Sequence, residues 1–164
     1  MNVVTTATAA EVRAIVAEVP DPEIPVLSID DLGILRDVAV DPTGHVEVTI
    51  TPTYSGCPAM EAISEDVVRR LAQHGYPGAS VRLVLSPAWT SDWMSESGKR
   101  KLHQYGVAPP SHLSNGTVAL RLSVRCPRCG SPDTRELSRF GSTACKSLWS
   151  CRACLEPFDS FKAI

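Results

Sequence analysis

The sequence predicts an α+β fold in two parts, a small α-β-β-α-β-α sandwich followed by a cysteine-bearing β-ribbon. Apolar residues alternate between helical and strand spacing over roughly the first hundred residues, and two Cys-x-x-Cys pairs lie near the end. Charge separates the same parts: residues 1–117 carry eight Lys/Arg and fourteen Asp/Glu, whereas residues 118–164 carry eight and four. We expect a first domain at 1–108, a linker at 109–117 and the ribbon at 118–164.

Hydrophobic periodicity predicts the elements of the first part. They are, in order, a helix at 8–19, strands at 34–40 and 45–50, a helix at 58–75, a strand at 81–85 and a helix at 90–104. The first two strands should form an antiparallel hairpin around Asp41–Gly44. A helical crossover precedes the third strand, which allows that strand to run parallel to the second. Pro20, Pro22 and Pro25 favour an extended segment after the first helix.

The ribbon is predicted from Cys126, Cys129, Cys151 and Cys154, with short strands at 118–124, 147–149 and 157–161. Each Cys-x-x-Cys turn presents two thiolates to one ion, and two such turns complete the tetrahedral shell of zinc. We therefore predict a zinc β-ribbon whose metal is structural, because four protein ligands leave no position for water. A rubredoxin-like iron centre, a dithiol redox pair and paired disulfides remain the alternatives.

Two further thiols stand outside these pairs. Cys145 lies in the ribbon and is either a small buried apolar residue or an additional metal ligand or redox partner. Cys57 precedes Pro58, the predicted first residue of the second helix, so its sulfur should lie at the positive helix end. That position lowers a thiol pKa and favours the thiolate. Gly56 and Thr51 suggest a loop that allows close backbone approach, although simple packing of Cys57 is the alternative.

Acidic residues cluster ahead of the first strand, at Asp21, Glu23, Asp30 and Asp31. They either cap turns and face solvent, or form a carboxylate patch for a metal or a partner. No phosphate-binding loop, zinc-protease motif or nucleophile elbow occurs, so we do not expect an enzyme.

Composition limits the remaining function classes. There is no apolar run of membrane-spanning length and no secretory signal, so we expect a cytoplasmic protein without a membrane partner. The basic ribbon raises nucleic-acid binding as a hypothesis, but the acidic first part and the few aromatic residues argue against it.

Two stretches resemble the SufT-like family of iron–sulfur assembly domains, namely Asp21-Pro-Glu through Asp31-Leu-Gly33 and Thr51-Pro-Thr-Tyr-Ser-Gly-Cys-Pro58. With the ribbon ending Cys151-Arg-Ala-Cys-Leu-Glu-Pro-Phe-Asp-Ser-Phe-Lys162 and the segment Phe140-Gly-Ser-Thr-Ala-Cys-Lys146, the chain resembles the D-subunit family of bacterial phenylacetyl-CoA epoxidase systems. The resemblance covers nearly the whole sequence.

The resemblance implies an accessory factor in aerobic phenylacetate catabolism that assists iron–sulfur cluster assembly or delivery. Its partners would be other epoxidase subunits, especially the reductase that carries flavin and an iron–sulfur cluster. Cys57 would be the functional thiol, with Asp21 and Glu23 lining its neighbourhood, and would ligate iron or a cluster transiently. A homodimer, a client cysteine or a small thiol must supply the other ligands. A non-catalytic subunit that scaffolds the oxygenase is the alternative.

Overall fold

The computed structural model describes residues 8–111 and 124–164, which form two compact units divided between Trp89 and Thr90. The predicted fold class is confirmed: helices and two separate sheets are present. Residues 90–108, which the sequence grouped with the first domain, lie instead in the second unit. The physical reason is that the strand after the third helix hydrogen-bonds to the ribbon.

The first unit contains two helices and a three-stranded sheet. Its elements are α1 (Ala9–Val16), β1 (Leu35–Val40), β2 (Val46–Ile50), α2 (Ala59–Gln73) and β3 (Ser80–Leu83). The sheet order is β1-β2-β3, with β1 antiparallel and β3 parallel to β2, as the crossover predicted. Val48 and Ile50 are fully buried, as are Ile63 and Val67 of α2. Apolar spacing at period two and period 3.6 therefore builds a single core.

The proline-rich segment after α1 does not extend, contrary to the expectation from its composition. It folds back on itself: Pro20 bridges Ser28, and the N–H of Asp21 donates to the carbonyl of Leu27 at 2.9 Å. Asp21 stabilises the turn, because its Oδ1 accepts the N–H groups of Glu23 at 2.7 Å and Ile24 at 2.8 Å. Proline limits the local angles, but this carboxylate and the strand-like bridge close the loop.

The second unit contains a short 3-10 helix (Ser91–Trp93), α3 (Glu96–Tyr105) and four strands, β4 (Val107–Ala108), β5 (Thr134–Ser138), β6 (Lys146–Cys151) and β7 (Pro157–Phe161). The sheet order is β4-β7-β6-β5, parallel between β4 and β7 and antiparallel elsewhere. The predicted helix at 90–104 is thus divided, because Met94 is extended and Ser95 caps α3 anew. Residues 118–123 of the strand predicted at 118–124, and residues 112–117 of the linker predicted at 109–117, lie outside the described residues.

Candidate metal centre and thiol loop

Four cysteine sulfurs converge at one end of the ribbon. The sulfurs of Cys126, Cys129, Cys151 and Cys154 all lie within 4.8 Å of one another. The Sγ–Sγ distance is 3.7 Å between Cys126 and Cys154, and 3.5 Å between Cys129 and Cys151. A regular tetrahedron with Zn–S bonds of about 2.3 Å has S–S edges of about 3.8 Å. Both measured distances are close to that edge, so the sulfur positions suit one tetrahedral ion.

The two Cys-x-x-Cys turns repeat one backbone geometry. The N–H of Cys126 donates to the carbonyl five residues later, at Ser131 (3.0 Å), and the N–H of Cys151 donates in the same register to Glu156 (2.9 Å). The residue after each second cysteine has a positive φ, +75° at Gly130 and +65° at Leu155. This repeated turn brings two thiols to the same side of the backbone in each half of the site.

The neighbouring thiols shift the pKa values of Cys151 and Cys154 in opposite directions, as expected for adjacent groups that cannot ionise together without a cation. The N–H of Cys154 has the largest influence on Cys151 and, with other donors, lowers the pKa of that thiol to about 7. At Cys154 the N–H of Glu156 acts in the same direction, but burial and the neighbouring thiols outweigh it and raise the pKa to about 12. A dication would offset this mutual repulsion and hold all four as thiolates. The donor set therefore fits zinc.

A small apolar cluster supports this end of the ribbon. Its buried members are Ala108, Val124, Cys126, Trp149, Cys151 and Phe158, with Cys154 packed against them. Trp149 and Phe158 face each other across β6 and β7, and the indole N–H donates to Ser147 Oγ at 2.9 Å. Two of the metal ligands are themselves part of the core, so metal binding and ribbon packing are one event.

Cys145 lies at the opposite end of β6 from the four-sulfur site. Six residues of strand separate it from Cys151, a span of about 20 Å. Its side chain is buried and its Sγ lies 3.0 Å from the hydroxyl of Thr143. The Cys145 sulfur is therefore not part of the four-sulfur group, and its alternative role as a transient metal ligand or a redox partner stays a prediction.

The loop that carries Cys57 connects the end of β2 to the start of α2. Pro58 is the N-cap residue, so Cys57 lies one position further from the helix than predicted. Gly56 has φ of +81°, a left-handed conformation that glycine adopts without steric penalty. The N–H of Cys57 donates to the carbonyl of Tyr54 at 3.3 Å, and this closes the turn. The thiol is left partly exposed at its apex.

Burial, not the helix end, sets the ionisation of Cys57. Desolvation raises the pKa of this thiol above its ordinary value, whereas hydrogen bonds from the Ala59 N–H and the Tyr54 hydroxyl lower it. The negative charges of Glu23 and Asp21 raise it further. The net shift is upward, so the predicted lowering of the Cys57 pKa is wrong. Tyr54 was absent from the predicted site; it stands three residues before Cys57, a spacing that a closed turn brings together.

The remaining predicted residues divide into structural and unassigned groups. Asp31 exchanges hydrogen bonds with Ser28, and Asp30 forms an ion pair with Arg13 at 3.0 Å, so both have structural roles. Thr51 is buried, and its Oγ1 has no hydrogen-bond partner among the described residues. A buried hydroxyl without a partner is uncommon in proteins. Thr51 begins the loop that ends at Cys57.

Cys57, Asp21 and Glu23 do not form a ready metal site. Within residues 8–111 and 124–164, the four ribbon thiols are the only group of three or more His, Cys, Asp or Glu ligand atoms that converge closely enough to hold an ion. Cys57 can therefore contribute one thiolate to a metal whose other ligands come from a different molecule. In the same residues, no helix is both long and apolar enough to cross a bilayer.

Two family models match this chain, one over the part that carries the four ribbon cysteines and one over the part that carries Cys57. The family model for the PaaD zinc beta ribbon domain matches residues 110–162, and the model for the iron-sulfur cluster assembly protein family matches residues 9–84. The first match contains all four converging cysteines, and the second contains Cys57. The prediction of zinc in the ribbon is thereby confirmed.

Individual relatives extend over one part or over both. The chain is 47% identical over 154 residues to an Escherichia coli (strain K12) protein named, provisionally, as the D subunit of 1,2-phenylacetyl-CoA epoxidase, covering 94% of this chain and 92% of that protein. It is 41% identical over 83 residues to an Fe-S protein maturation auxiliary factor of Porphyromonas gingivalis, covering 50% of this chain and 78% of that protein. A crystal structure of a DUF59 domain from Bacillus anthracis matches with a TM-score of 0.54 and 30% identity, over 57% of this chain and 90% of the other.

Proposed function

We propose, on the premise that this chain belongs to the D-subunit family of phenylacetyl-CoA epoxidase systems, that it matures an iron–sulfur protein of that system. The coarser role, an accessory function related to iron–sulfur assembly, follows from the assembly-domain match and from the maturation factors among its relatives. The finer proposal is that Cys57 transiently binds an iron ion or a cluster during aerobic phenylacetate catabolism. The recipient would be the reductase that carries flavin and an iron–sulfur cluster.

The observation that supports this proposal is the incomplete ligand set around Cys57. The thiol is accessible at the apex of a fixed turn, and two donors, the Ala59 N–H and the Tyr54 hydroxyl, are directed at its sulfur. No second thiol or histidine among the described residues joins it to form a group of three ligands. A site that holds cargo with one ligand of its own is suited to transfer, because the recipient can replace that ligand.

The transfer is a ligand exchange without redox change. Cys57 loses its proton when its sulfur binds the cargo, since the thiolate is the ligand. A thiolate of the recipient then forms a new bond to the metal while the bond to Cys57 breaks, and Cys57 regains a proton. Burial and the charges of Glu23 and Asp21 raise the pKa of Cys57, which favours the protonated, released state. The neighbourhood therefore favours release over permanent binding.

The ribbon contributes structure rather than chemistry in this proposal. Cys126, Cys129, Cys151 and Cys154 would fill the coordination shell of the zinc ion, so no position is open for water or substrate. We therefore propose that the chain is not an enzyme in its own right.

The test compares Cys57→Ser with Cys145→Ser, a matched thiol removal at a buried position of the other unit. Each full-length variant is produced with the reductase, and the iron and sulfide content of the purified reductase is measured. We expect Cys57→Ser to retain one zinc and to lower reductase cluster occupancy severalfold, and Cys145→Ser to leave occupancy unchanged. Normal occupancy with Cys57→Ser would remove the proposed role from this thiol.

Co-purification and deletion experiments distinguish this role from the scaffolding alternative. A scaffold protein would co-purify with the oxygenase at fixed stoichiometry whether or not Cys57 is present, and its deletion would dissociate the complex. A maturation factor would be needed only while the reductase is being assembled. Adding it to preassembled, cluster-loaded reductase would then have no effect on epoxidation.

A further inference from the structure

The apolar face of the first sheet, which is buried at β2, becomes exposed at β3. In the parallel register, Ile50 of β2 lies beside Leu83 of β3, on the same face. Ile50 is fully buried, whereas Leu83 is 50% exposed, and Leu85 just beyond the strand is 60% exposed. The sequence predicts a strand at 81–85, and the structure leaves the apolar side chains at its end exposed. Adjacent apolar side chains of this kind mark contact sites more often than isolated ones do.

The outer edge of β3 also presents backbone groups. The N–H of Val84 donates to the carbonyl of Ile50 at 2.9 Å. Successive residues of a strand direct their N–H and C=O groups to opposite sides, so Val81 and Leu83 direct theirs away from β2. Among the described residues, β3 is the last strand on this side of the sheet. Such an edge is a template for one more strand.

This edge lies at the same end of the sheet as the Cys57 loop. Because β2 and β3 are parallel, the loop that follows Ile50 and the segment that follows Leu83 leave the sheet at the same side. A strand added to β3 would lie about 4.8 Å from β3 and about 10 Å from β2. A residue just beyond the end of that added strand is therefore within a short loop's reach of Cys57.

Charge selects among possible occupants. The first unit, residues 1–89, carries twelve Asp/Glu and five Lys/Arg. The one arginine on β3, Arg82, is neutralised by Glu47 through a 3.0 Å ion pair. A second copy of the same unit would bring like charge against like charge, whereas a basic segment would be attracted.

We propose that the free edge of β3 binds an extended, basic segment of the client protein as a fourth strand, with Leu83 and Leu85 covered by its apolar side chains. The inference rests on the proposed function and names the surface by which the client's cysteine is brought to Cys57. Backbone hydrogen bonds along the edge provide affinity, and the leucines provide selectivity for alternating apolar residues.

The test uses the full-length chain and the purified apo-reductase as probe. Leu83→Pro deletes one outward N–H without touching the bonds to β2, and Leu83→Ala keeps that N–H but removes the side chain. Leu137→Ala, a ribbon leucine of matched exposure at 48%, is the control. Titration calorimetry gives Kd, hydrogen exchange with and without the probe gives the protected residues, and alkylation of Cys57 reports whether the loop is intact.

We expect Leu83→Ala to weaken binding about tenfold and Leu83→Pro to weaken it further, with Cys57 alkylation unchanged in both and binding unchanged in Leu137→Ala. Residues 80–85 should become protected when the reductase binds, and Cys57→Ser should still bind.

Three results would overturn the inference. Binding with no protection at 80–85 and with both Leu83 variants like the native chain would assign the reductase to another surface, while the role of Cys57 would stand. Protection at 80–85 that appears without reductase and rises with protein concentration would make a second copy the occupant. A native chain that neither binds the reductase nor changes its cluster content would reject the proposed function together with this inference.

Discussion

Removing zinc should unfold the ribbon and leave the first unit folded. The perturbation is a high-affinity chelator added to the zinc-loaded chain. Cys126 and Cys151 are both ligands and buried members of the ribbon core, so the metal and the apolar cluster are lost together. The first unit has its own core, including Val48, Ile50 and Ile63, and contributes none of the four ligands.

The magnitudes decide the outcome. Burying a large apolar side chain such as Phe158 stabilises a fold by about 1.5–3 kcal/mol. A structural four-ligand zinc contributes an apparent 10–16 kcal/mol, roughly, in small zinc modules at neutral pH. Among the described residues, the large apolar side chains buried along β6 and β7 are Trp149, Phe158 and Phe161. Their combined contribution is smaller than that of the metal, so packing cannot hold the strands once the ion is removed.

Hydrogen exchange, resolved by segment, is the suitable assay because it reports the two units separately. We expect backbone amides of β6 and β7 to lose protection after chelation, while those of β2 and α2 keep it. Restoring zinc in excess should reverse the change. Unaltered protection of β6 in the metal-free chain would refute the reasoning that the ribbon depends on its ion.

Two further predictions concern packing and ionisation. A Cβ at position 141 would lie 2.7 Å from Asp159 Oδ1, 3.2 Å from Lys146 Cβ and 3.3 Å from the backbone carbon of Lys146. The Asp159 side chain can move aside but the Lys146 backbone cannot, so Gly141→Ala should lower the free energy of unfolding by about 1–2 kcal/mol, the cost of overpacking less the entropy gain of alanine. A denaturation midpoint equal to that of the native chain would contradict this. Because burial raises the pKa of Cys57 and the thiolate is the reactive form, the alkylation rate of Cys57 should rise with pH, with a midpoint above the ordinary thiol value. Glu23→Gln removes a like charge and should lower that midpoint, whereas Tyr54→Phe removes a hydrogen-bond donor and should raise it. Equal midpoints in the native chain and both variants would refute the assignment.

Periodic segments were predicted well because local spacing determines them. The strand predicted at 45–50 matches β2 to within one residue, since its apolar positions alternate with polar ones and a turn precedes it. The start of α2 was displaced by one residue, an ordinary uncertainty at helix ends. The four zinc ligands were found from sequence because each pair lies within one turn, where the spacing of the cysteines fixes the geometry.

Features set by distant pairing could not be predicted in the same way. The two-residue strand β4 exists only because it pairs with Asp159 and Ser160 of β7, about fifty residues later in the sequence. Strand β5 has one buried residue, Thr134, and three exposed neighbours, so it gives no apolar period. The ionisation of Cys57 depends on burial and on carboxylates from the Asp21 turn, which the helix position alone does not reveal.

The repeated turns of the ribbon differ in one residue, and this difference places backbone strain in one of them. Gly130 occupies its left-handed conformation at no steric cost, whereas Leu155 in the same conformation carries about 1–2 kcal/mol. Interactions elsewhere in the ribbon must offset that cost, because an isolated turn would release it by opening. The turn that presents Cys151 and Cys154 therefore depends more on the surrounding fold for its shape than the turn that presents Cys126 and Cys129.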